Sequence, residues 1–160
     1  MGILNRVFGL RDFKSDIADT GTTASTSKGN ELLGIAVDLL TTQIDLGDAS
    51  PGGPNRQRLE NPYARGYLFG FVDALLRRGG VTNEQQVLAL ISVAHRKLFG
   101  NEAGSKFIGE AFSDQASISV FGPGRAAGAA DLSGWLSDRK VPPLMLSDYL
   151  KGRDLHAGTD

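Results

Sequence analysis

The sequence predicts an all-α fold: a small bundle of about four main helices, with an amphipathic helix ahead of it and an irregular tail behind. Three observations predict it. Apolar residues recur at i, i+3, i+4 and i+7 in one stretch after another, the period of a helix that buries one face. Those stretches start at Asn, Thr or Pro and stop at Gly, as helices do. The chain has 160 residues and no cysteine. A domain of that length buries roughly 68–70% of its unfolded surface and needs no disulfide to hold it.

Taken in order, residues 1–14 form the amphipathic segment. Ile3, Leu4, Val7, Phe8 and Leu10 stand close to helical spacing, with Arg6, Arg11 and Lys14 among them. Residues 15–29 contain TGTTASTSKG, which is polar and glycine-punctuated with nothing to bury, and are expected to be a flexible linker. The helical core domain is expected over 30–121. Its first helix runs from an Asn30 N-cap to Leu46, with Leu32, Ile35, Ala36, Leu39, Leu40 and Ile44 on its apolar face. The stretch GDASPGGPNRQR then stops regular structure.

A second helix starts after Asn61 with Pro62 in its first position and ends at Gly79 and Gly80. Tyr63, Tyr67, Leu68, Phe69, Phe71, Val72, Leu75 and Leu76 point almost all the way round it, so it is predicted to be buried on every side. Gly66, Gly70 and Ala74 repeat every four residues along it. A glycine costs a helix interior about 1 kcal/mol against alanine, so this stripe is expected to admit a close-packed helix or a second copy of the chain. The third helix opens on a capping box, Thr82 with Gln85, and runs to Phe99, forming an antiparallel hairpin with the second. A fourth covers about residues 102–117. Beyond it, residues 118–121 suggest a short strand and residues 122–160 a Gly/Ala-rich connection, turns around Trp135, a break at Pro142-Pro143 and a short helix near 144–151.

Composition narrows the function classes. A formal charge of −1 lacks the field that non-specific nucleic-acid binding requires. No apolar run approaches the roughly 18 residues that span a bilayer, and the first residues lack a secretory signal, so a cytoplasmic protein is expected. His95 and His156 are the only histidines and stand far apart, so no metal and no cofactor is expected. Gly122-Pro123-Gly124-Arg125-Ala126-Ala127 matches G-x-G-x-x-A, the dinucleotide fingerprint, but a βαβ unit is missing around it and a plain connection is the expected reading.

Catalysis, if present, would rest on His95 and Asp73. Asp73 and Arg77 stand four apart, the spacing of a helical ion pair or of a polar hot spot at an interface. Glu110 and Asp114 read as a solvated acidic face. Two function classes follow. The first is a non-catalytic helical adaptor that binds a protein partner, or itself as a homodimer, through Ile3, Leu4, Val7, Phe8 and Arg11, with an anionic membrane surface as the other acceptor for that segment. The alternative is a small hydrolase or transferase with a pocket near His95 and Asp73, which requires both side chains to converge on one cavity.

Overall fold

The helix at the centre of the protein is the one whose apolar residues point all ways. The computed structural model describes residues 22–115 and 118–153. In chain order these form α1 (Thr22–Leu46), a 3-10 turn (Arg56–Glu60), α2 (Pro62–Arg78), α3 (Glu84–Phe99), α4 (Asn101–Asp114), α5 (Ile118–Ser137) and α6 (Met145–Leu150), with no strand among the described residues. From Ala64 to Leu76 every residue of α2 except Ala74 is buried. The Asn61 side chain accepts a hydrogen bond from the Tyr63 amide (3.0 Å), and Pro62 occupies the first turn, where its missing N–H costs nothing. Gly80, at φ +89°, turns the chain away after the last turn.

Around α2, α1 packs antiparallel, with Leu32 lying where a side chain on Gly79 would fall. α3 and α4 meet at a tight corner: a Cβ on Gly104 would lie 2.5 Å from the Arg96 Cα. The closest neighbour of α2 is α5, which runs parallel to it. A Cβ on Gly66 would sit 3.0 Å from the Arg125 amide nitrogen, and one on Gly70 2.8 Å from the Arg125 carbonyl carbon. From the other side, a Cβ on Gly124 would sit 2.8 Å from the Tyr63 carbonyl carbon, and one on Gly128 2.9 Å from the Phe71 amide nitrogen. The two backbones therefore touch along a reciprocal seam of glycines four apart, with Ala74 half-buried beyond it. That contact offsets the helix propensity the glycines lack.

Three expectations are corrected. α1 begins at Thr22, so residues 22–29, expected as linker, are helical and Asn30 is no N-cap. Ser and Thr cost a helix only about half a kcal/mol each, and extending a formed helix needs no new nucleus. Gly29 is already buried, against Leu90. The segment 1–14 and linker residues 15–21 lie outside the described residues. Second, α3 is capped by Asn83, whose side chain accepts from the Gln86 amide (2.9 Å), and not by the Thr82–Gln85 box. Third, residues 118–137, expected as strand, connection and turns, are one helix with Pro123 inside it. Pro123 lacks the N–H that would meet the Ser119 carbonyl, and that carbonyl stands in an exposed first turn, where the loss costs least. No described helix is long and apolar enough to cross a membrane.

Candidate functional site

Among the described residues, four groupings of polar side chains in and at the edge of the core are candidates for a site. The first fastens α6. The Tyr67 hydroxyl lies against the Asp131 carboxylate and, at 3.1 Å, against Gln43 Oε1. Asp131 accepts from the Met145 amide (2.9 Å) and Gln43 Oε1 from the Leu146 amide (3.0 Å). Two of the N–H groups that the start of α6 leaves without helical partners are thus met by acceptors from α5 and α1. Burial pushes the Tyr67 hydroxyl well above its ordinary pKa, and the neighbouring Asp131 charge adds to it. Burial also raises Asp131, against the hydrogen bonds from Tyr67 and the backbone that favour its charge.

The second cluster anchors the start of α2. Arg65 is buried and reaches Asp114 (2.5 Å), Glu110 (3.3 Å) and the Glu60 carbonyl. Glu110 and Asp114, expected on a solvated face, instead meet this arginine. Asp73 forms the third: Arg77 reaches one carboxylate oxygen (2.7 Å) and Arg125 the other (3.1 Å), with Glu84 on the far side of Arg77 (2.8 Å). Asp73 thereby joins α2, α3 and α5, and Arg125 continues over the Phe69 ring.

His95 is the fourth. Expected at the edge of an apolar face, it is wholly buried, its Nδ1 bonded to the Ile91 carbonyl (2.8 Å) and its Nε2 without a partner. Burial pushes the imidazole below its ordinary pKa, against the raising effect of the Ile91 bond. The unfolded chain binds a proton below about pH 6.5 that the folded chain resists, so stability is expected to be complete above that pH and to fall as pH drops through it. Replacing His95→Phe should flatten the slope between about pH 7.5 and about pH 5.5. Denaturant titrations at both values measure it, and an unchanged slope in the variant would show that the ring does not carry the effect.

Among the described residues, two hollows bear on the search for a site. One, of about 20 Å³, lies between α1, α2 and α5, lined by Leu32, Ile35, Leu75 and Trp135 with Arg78 and Arg139 at its rim. The other is an open depression of about 590 Å³ around Arg58, Asn61 and Tyr149. Neither His95 nor Asp73 borders either of these hollows, and the two side chains share no hydrogen-bond partner.

Comparison with protein-family models, with curated proteins and with solved structures finds no match for this chain. Geometry alone therefore ranks its parts. Ile3, Leu4, Val7, Phe8 and Arg11, expected to bind a partner, lie outside the described residues, as does His156. Gly66 and Gly70 face α5 of the same chain. Sequence reasoning missed Gln43, Tyr67 and Asp131 as a group, and Arg65 as a buried cation. It also missed the Trp135 hollow, where Arg139 lies 4.6 Å above the indole ring. The arginines on apolar helices were the available signal, since a charge among core residues needs a partner.

Proposed function

We propose that this chain is a non-catalytic helical adaptor of the cytoplasm, brought to a protein partner by the apolar face of residues 1–14. What supports the reading is how its apolar residues divide. Among the described residues the core runs from Leu32 to Leu150, while Ile3, Leu4, Val7 and Phe8 sit ahead of α1, across the polar run from Thr20 to Lys28. Anchors at i, i+4 and i+7 on a short helix suit a hydrophobic groove. The hydrolase or transferase reading has less behind it, because the two groups it needs are committed elsewhere: His95 to the Ile91 carbonyl, Asp73 to two arginines.

The test compares the full chain with Phe8→Ala as bait for proteins from the native cell, and titrates a peptide of residues 1–15 with anionic vesicles. A partner retained by the parent and lost by Phe8→Ala is the expected result. Identical capture by both would overturn the reading, and salt-sensitive vesicle binding without a protein partner would replace it with the membrane surface.

A further inference from the structure

The hollow between α1, α2 and α5 has a composition that selects its occupant. Its floor is Leu32, Ile35 and Leu75, and its wall is Trp135. At about 20 Å³ it admits a methyl group or a ring edge, far less than the roughly 300 Å³ or more of a small-molecule site. Its rim is cationic. Arg78 reaches the Ser133 hydroxyl (3.1 Å), Arg139 lies over Trp135, and exposed Lys140 follows. None of the three has an acidic partner among the described residues. Asp138, the nearest acid in sequence, accepts from the Lys140 amide instead (3.0 Å). The complement is a short segment with an apolar residue flanked by carboxylates.

The chain carries such a segment just ahead of α1. Residues 12–17 read DFKSDI. On a helix Asp12, Phe13, Asp16 and Ile17 share one side and Lys14 falls away from it. The reach also agrees. From Thr22, where α1 begins, to Leu32 at the hollow is about 15 Å along a helix. An extended chain spans at most about 3.5 Å per residue, so Asp16 can stand about 21 Å back from Thr22, whereas Asp19 at about 10 Å falls short.

We propose that this chain's own residues 12–17 dock over the hollow between α1, α2 and α5, with Phe13 on Leu32, Ile35 and Leu75 and with Asp12 and Asp16 paired to Arg78 and Arg139. These residues lie outside the described ones, and the contact holds whether or not residues 3–11 bind a protein. Its effect is to fix that apolar face beside one end of the bundle instead of leaving it on a free tether.

The absence of natural cysteine makes the contact easy to trap. In the full chain, Ser15→Cys with Lys140→Cys keeps Asp12, Phe13, Asp16, Arg78 and Arg139 at the cost of one rim cation, and Ser15→Cys with Lys97→Cys serves as a control on the exposed end of α3. Under mild oxidation the first pair is expected to close an intramolecular disulfide at least about tenfold faster, because docking raises the local thiol concentration. Adding Arg78→Glu and Arg139→Glu should return the rate to that of the control, and Asp12→Lys with Asp16→Lys on top of them should restore it. Equal rates in the two pairs would overturn the proposal, as would disulfide-linked dimers alone, which would put a second copy's segment in the hollow. A rate indifferent to the glutamates would overturn the ionic pairing.

Discussion

Gly70→Leu is expected to leave the chain without a stable fold at 25 °C. Even the Cβ of alanine at this position meets the backbone of Arg125, the nearest carbon lying 2.8 Å away, and backbone cannot rotate aside as a side chain can. Overpacking costs about 1–3 kcal/mol where side chains can adjust. Here the two helices must part along their whole seam, so the loss should exceed about 3 kcal/mol, a large share of the 5–15 kcal/mol typical of a domain. Gly128→Ala should fail for the same reason from the other side. Gly109→Ala and Gly134→Ala are the controls, since both sit in helices with nothing within 4 Å of the new atom. Each should stabilise by roughly 0.5–1 kcal/mol through helix propensity alone. Urea titrations of the four variants measure the contrast. If Gly70→Leu is as stable as the parent and of unchanged mass in solution, the seam is not tight.

Asp131→Ala is expected to release α6. The substitution leaves the Met145 amide without its acceptor and costs the Tyr67 hydroxyl one of two, with Gln43 still in reach. Leaving a buried donor unmet costs about 1–3 kcal/mol, and more where the lost acceptor was charged, so a loss of about 2–4 kcal/mol follows. Asp131→Asn keeps an oxygen at the position of Oδ2, the one atom that both the Met145 amide and the Tyr67 hydroxyl use, so most of the stability should remain. Hydrogen exchange is the decisive readout: in Asp131→Ala the amides of Met145 to Leu150 should lose protection before those of α2. Uniform loss across all helices would show that the cluster holds the whole fold and not α6 in particular.

The central helix was legible because its residues agree at every level. Asn61 and Pro62 start it, Gly79 and Gly80 stop it, and an apolar surface on all sides admits only a buried position. α5 was hidden because propensity and packing disagree there. Glycines and a proline argue locally for a connection, and the seam that overrules them is visible only when Gly124 and Gly128 are set beside Gly66 and Gly70. The same glycines that resemble a phosphate-binding turn serve a helix crossing. The start of α1 was missed for a related reason, since TTASTSKG has no apolar pattern yet belongs to a helix in which Gly29 is already packed. His95 shows the limit on the candidate site. Its place on the inner edge of α3 followed from spacing, but its complete burial depends on the α3–α4 corner, which no local pattern encodes. Gln43, Tyr67 and Asp131 come from three separate helices, and only the tertiary fold makes them neighbours.

The parallel seam also sets an order of events in folding. It joins residues about sixty positions apart, a high contact order for a helical protein, whose folding is usually quick because its contacts are local. Helices α2, α3 and α4 can find one another across short turns as the chain is synthesised. None of them puts a backbone against Gly66 and Gly70, so a helix that ends up buried on nearly every side stays uncovered on one of them until Gly124 and Gly128 have left the ribosome. During that interval its exposed stripe is open to wrong partners, and a chaperone that shields α2 would be acting on apolar surface that has not yet met its own partner.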